Sequence, residues 1–63
     1  MTRDEASRAK QEMTPVHVPI GMGDADYGVI RQVGYHESGN DDLVAIQTAH
    51  GIVWHHFSQV REG

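Results

Sequence analysis

From Val16 onward, apolar and polar residues alternate in short runs separated by glycine, asparagine and aspartate. A period of two is the mark of a strand with one buried face. "VHVPI" (16–20) is the first such run, and Pro19 confines it to an edge or a strand end because proline cannot donate to a ladder. "GMGDAD" (21–26) supplies turn chemistry. "YGVIRQVGYH" (27–36) is the longest strand. Strict alternation there sets Val29, Arg31, Val33 and Tyr35 on one face and Ile30, Gln32, Gly34 and His36 on the other. Gly28 and Gly34 mark bends or bulges. "ESGNDD" (37–42) reads as a loop. "LVAIQTA" (43–49) is the next strand, with Val44, Ile46 and Thr48 opposite Leu43, Ala45, Gln47 and Ala49. His50–Gly51 makes a tight connection into "IVWHHF" (52–57). "FSQV" then gives one helical turn before a strand residue or two at Val60–Arg61.

The first thirteen residues follow a different rule. Thr2 and Glu5 stand at the spacing of a capping box. Behind them Ala6, Ala9 and Met13 make a thin apolar stripe on an otherwise polar segment. Isolated helices shorter than about 12–15 residues are marginal in water. Residues 1–15 are therefore expected to form a flexible or weakly helical tail, closed by Thr14–Pro15, where the residue before proline leaves the helical region. Residues 16–63 form the folded domain.

Four or five short strands in so few residues, joined by glycine-rich turns and with no interior helix, predict an all-β fold that curls into a small barrel. The chain has 63 residues and no cysteine, so neither a disulfide framework nor a thiolate zinc site can staple it. Self-association is the expected substitute, because it buries apolar area without special chemistry. A mean hydropathy of −0.51 and the lack of any apolar run near the roughly 20 residues of a spanning helix argue against a membrane segment. No secretory leader pattern opens the chain, and a cytoplasmic setting is the default.

Charge narrows the partners. Residues 1–13 balance Arg3, Arg8 and Lys10 against Asp4, Glu5 and Glu12, whereas the rest sets Arg31 and Arg61 against six carboxylates and carries the whole net charge of −4. Affinity for duplex DNA comes from lysines and arginines that displace counterions from phosphates, and two such residues are a poor footprint.

The C-terminal order of strand, single turn and short strand resembles the end of SH3-like barrels. Within that class, "GMGD" at 21–24, "GVI" at 28–30 and "TAHGIVWHHFSQVRE" at 48–62 resemble, in the same order, elements of the plasmid-borne type II dihydrofolate reductases. Those are small SH3-like chains that assemble as tetramers around one central active-site pore. The resemblance implies an SH3-like, tetrameric barrel. The family's catalytic strand carries Val-Gln-Ile-Tyr, however, and the matching place here reads Ile52-Val53-Trp54-His55. The glutamine and tyrosine that contact substrate and cofactor are missing, so the resemblance lends weight to the fold and little to the activity. "VWHHFS" at 53–58 also resembles the RNP2-like "VFVHFS" of cold-shock domains, whose aromatics stack on single-stranded bases. The companion RNP1 motif is absent.

Chemistry-bearing residues are sparse. His55 and His56 are adjacent, so on a strand they point to opposite faces and do not converge on one metal. His17, His36 and His50 are scattered along the chain. Ser7, Ser38 and Ser58 lie in tail, loop and turn without a nucleophile elbow, and Ser58 beside His56 reads as a cap of the final turn. Asp24/Asp26 and Asp41/Asp42 read as turn formers. No metal site, cofactor site or catalytic residue is assigned.

Trp54 is the residue of most interest. If Val53 faces the core with Phe57 and Val60, then Trp54, Ile52 and His56 take the other face. The opposite phase would make Trp54 the centre of the core. The sequence thus predicts a non-catalytic binding module that self-associates or docks a protein partner through Tyr35, Trp54, His55 and His56. The alternatives are a small oligomeric enzyme with a symmetry-axis site, and a single-stranded nucleic-acid binder using Tyr35, Trp54, His56 and Phe57, where stacking is worth about 1–3 kcal/mol per base.

Overall fold

The computed structural model describes residues 1–35, 37 and 39–63, without the side chains of Tyr35 and Asn40. The chain runs α1 (Arg3–Glu12), β1 (Val16–Pro19), β2 (Ala25–Tyr35), β3 (Asn40–Thr48), β4 (Gly51–His56), a 3-10 turn at Phe57–Gln59, and β5 (Arg61–Glu62). The strands form one antiparallel sheet in the order β4-β3-β2-β1-β5. Strands β4 and β5 are its two edges and share no ladder, so the sheet is open. The fold is mostly antiparallel sheet with one N-terminal helix.

One core lies on one side of this sheet. Val16, Val18, Ile30, Val44, Ile46 and Val60 are at most 2% exposed, and Ala6 and Ala9 of the helix join them. Met1, Val33, Val53 and Phe57 pack around the rim. The two short alanines let the helix backbone approach the sheet closely, which is what a thin stripe can still do in a folded context.

Where the sequence predicts a flexible or weakly helical tail, the structure has a ten-residue helix with both ends closed. The Thr2 hydroxyl accepts from the Glu5 N–H (3.2 Å), and the Glu5 carboxylate accepts from the Thr2 N–H (2.8 Å). At the other end Met13 takes the left-handed conformation (φ 54°). There the Met13 and Thr14 amides donate to the Lys10 and Ala9 carbonyls, which ends the helix in a Schellman-type cap. The Met1 ammonium donates to the Phe57 carbonyl (3.2 Å) and the Val60 carbonyl (2.9 Å), tying the first residue to the last turn.

The alternation predicted for β3 is observed, with Val44 and Ile46 in the core. That predicted for β2 is not. The register runs Ile30↔Ile46 and then Gln32↔Ala45 and Val33↔Val44, so Arg31 is an extra residue, a bulge. The bulge inverts the phase, and Ile30 and Val33 end on the same, core side. Two strand starts also differ from expectation by more than one residue. Strand β2 begins at Ala25, inside the predicted turn, and β3 begins at Asn40, inside the predicted loop. Ladder pairing with Val18, Pro19 and Tyr35 holds Asp26, Ala25 and Asn40 extended despite their turn-forming character. His36 and Ser38 lie outside the described residues.

Gly28 stands where β1, β2 and β3 meet, opposite both Val16 and Thr48. A Cβ at this position would overlap the Gln47 carbonyl, so only glycine allows β2 to lie this close to β3.

Candidate functional site

The β3–β4 ladder decides where the C-terminal aromatic strand points. Ile46 faces Val53 and Val44 faces His55, on the core side. Ala45 faces Trp54, Gln47 faces Ile52, and Leu43 faces His56, on the outer side. Val53 and Phe57 pack on the core and Trp54 does not belong to it. Of the two phases the sequence allowed, the structure takes the one with Trp54 outside.

This outer face is apolar for a surface. Ile52 is 57% exposed, Trp54 and Leu43 are half-buried, and Val29 stands beside Gln47 on the neighbouring strand. Ala45 is only 2% exposed although it lies outside the core cluster. Side chains on the outer face therefore cover it, and Trp54 is its direct cross-strand neighbour. The three pairs Ala45↔Trp54, Gln47↔Ile52 and Val29↔Gln47 carry no formal charge. Strand β4, at the edge of the sheet, has one ladder neighbour among the described residues.

The four predicted binding residues do not form one cluster. Trp54 and His56 share the outer face, while His55 points to the core side at its rim. There the His55 Nε2 lies 3.0 Å from the Asp26 Oδ2, with both side chains about one-fifth exposed. A carboxylate only accepts, so the ring donates from Nε2. His56 is occupied locally. Its ring Nδ1 accepts from the Ser58 N–H (3.1 Å) and lies 2.7 Å from the Ser58 hydroxyl, while the His56 backbone N–H donates to Gln59 Oε1 (3.2 Å). It thus caps the 3-10 turn, as expected for the Ser58–His56 neighbourhood. The ring also lies 4.6 Å from Phe57, centroid to centroid, and its Nε2 is 3.7 Å from an Asp42 carboxylate oxygen. Tyr35 belongs to β2, and its side chain lies outside the described residues.

The other histidines are apart from this face. His17 stacks on Tyr27 with ring centroids 5.8 Å apart, and His50 sits in the β3–β4 turn. Among the described residues, no three metal-ligating side chains come together, and no helix is long and apolar enough to cross a membrane. Sequence reasoning missed Asp26, which it placed in a turn. Its partner is 29 residues away, and no local pattern signals such a pair.

No family model, curated protein or solved structure matches the chain.

Proposed function

We propose that this chain is a non-catalytic binding module, SH3-like in form, whose outer β3–β4 face around Trp54 and Ile52 meets a second protein surface, first of all another copy of itself. The observation that carries the reading is an apolar, uncharged outer face beside an edge strand. Exposed apolar patches rimmed by polar residues mark interaction surfaces, and tryptophan is enriched among the side chains that dominate such contacts. Because the patch carries no formal charge, two chains of net charge −4 can approach through it without bringing like charges into direct opposition. Support for the SH3-like form comes from the strand order, with β1 pairing to both β2 and β5, and from the 3-10 turn between the last two strands.

The test is the mass in solution by light scattering across a concentration series, for the native chain and for Trp54→Ala and Ile52→Asp. The expected result is a dimer or tetramer that both substitutions return to monomer. A native chain that stays monomeric throughout overturns self-association. Variants that assemble as well as the native chain place the contact elsewhere.

A further inference from the structure

Sharing only Val29 with that face, the end of α1 and the middle of β2 border an open groove of about 340 Å³. Lys10, Gln11 and Met13 line it from the helix, and Val29, Ile30 and Arg31 from the strand. The geometry points to a binding site for a small organic anion with a carboxylate head and a short apolar body.

Three observations carry this. First, the lining is amphipathic. Met13, 62% exposed, offers apolar surface, and Lys10 and Arg31 are cations on the two walls. Second, neither cation has an ion pair or side-chain hydrogen bond among the described residues, whereas Arg8 on the same helix is 3.7 Å from Glu12. In a chain with nine carboxylates and five Lys and Arg residues, two uncompensated cations on one groove stand out. An anion is the complementary ligand, and arginine suits a carboxylate because its fork can donate two parallel hydrogen bonds.

Third, the backbone is built around the groove. The β1–β2 ladder ends at Val16↔Gly28, so from Val29 onward β2 has no ladder partner on the β1 side, and the end of the helix lies there instead. The bulge at Arg31 interrupts the β2–β3 register at the same place, and bulges recur where a side chain is re-aimed toward a site. The volume is at the small end of ligand pockets, which fits a compact ligand.

Titrating the isotope-labelled full chain with sodium octanoate, 1-octanol and inorganic phosphate, each followed by amide chemical shifts, tests the site. Octanoate should give saturable shifts at Lys10–Thr14 and Val29–Arg31. Octanol, which lacks the charge, and phosphate, which lacks the apolar body, should each bind about tenfold more weakly, the factor that one lost contact of ~1.4 kcal/mol gives. The double variant Lys10→Gln, Arg31→Gln should weaken octanoate by about tenfold or more while keeping a folded spectrum, since both side chains are exposed. Met13→Gln should weaken octanoate and leave phosphate unchanged. Absent or scattered shifts, octanol or phosphate binding as tightly as octanoate, or variants that bind octanoate like the native chain would each overturn the assignment.

Discussion

Asp26 and His55 are joined by a 3.0 Å contact between strands that are not neighbours in the sheet. Strand β3 lies between β2 and β4, so this pair reaches across β3 on the core side and links the start of β2 to β4. The contact is a hydrogen bond whether the imidazole is neutral or charged, because Nε2 carries the proton in both forms. Asp26→Ala, which removes the acceptor, should therefore lower stability by about 1 kcal/mol, the usual worth of one such bond. His55→Phe, which keeps a ring and removes the donor, should cost a similar amount, and the double variant should cost less than the two together, with a coupling of about 0.5–1 kcal/mol. Urea denaturation of the four proteins measures this cycle. Strict additivity would show that the two side chains do not support one another.

Gly28 gives the sharpest backbone prediction. The obstacle to a side chain there is the Gln47 carbonyl, which belongs to the central ladder and cannot swing aside. Gly28→Ala should cost about 3 kcal/mol, at the upper end of overpacking penalties. Gly21→Ala is the control, because nothing lies within 4 Å of a Cβ at that position. Its effect should stay within about 0.5 kcal/mol. Equal denaturation midpoints for the two variants would mean that β2 does not cross β3 as closely as described.

The capping box at Thr2 and Glu5 couples the helix to acid. The Glu5 carboxyl is held below its ordinary pKa, first by the hydrogen bond from the Thr2 backbone and then by the Thr2 side chain. A depressed carboxyl pKa contributes stability that is fully present above the unfolded value and is lost as pH falls through the folded one. The effect should therefore show below about pH 4.3, the unperturbed glutamate value. Glu5→Gln should flatten the acid limb of the stability curve in that window and leave the neutral region nearly flat. Thr2→Ala removes the acceptor for the Glu5 N–H and should cost about 1 kcal/mol at neutral pH. Thermal unfolding followed by circular dichroism between pH 3 and 7 checks both, and parallel curves for native and Glu5→Gln proteins would count against the coupling.

The short apolar runs located β1 to β4, and the phase of β3 followed from alternation alone. The phase of β2 did not, because the bulge at Arg31 adds one residue and strict alternation has no way to mark it. Asn40–Asp42 looked like loop by composition, yet pairing of Asn40 with Tyr35 extends β3 through them, so a tertiary contact overrides local preference. The helix was legible through its capping box, but its place in the core was not, since two alanines make too small a stripe to announce burial. Of the site residues, Trp54 could be placed only once the ladder showed which of Val53 and Trp54 faced Ile46 and the core. Lys10 and Arg31, 21 positions apart, line one groove because α1 ends where β1 stops pairing with β2.

Ile46 and Ile52 separate the two faces of the sheet experimentally. They are the same residue type on adjacent strands, near one another in the ladder, yet Ile46 is fully buried on the core side and Ile52 is 57% exposed on the outer side. Ile46→Ala removes three carbons from the centre of a very small core, leaves a cavity, and should cost about 2–5 kcal/mol. In a domain of this size that is a large part of the total, and the variant should be largely unfolded at 37 °C. Ile52→Ala removes the same atoms from a site still wet in the single chain. At dilution it should change stability by no more than about 0.5 kcal/mol. At high concentration the same substitution should weaken assembly, because the lost area is then interface. Urea denaturation at low and high protein concentration distinguishes the cases. If Ile52→Ala destabilises the dilute chain as much as Ile46→Ala does, the outer face is interior to the monomer and the proposed docking surface is lost. If it is silent when dilute and costly when concentrated, the residues around Trp54 are where one copy meets another.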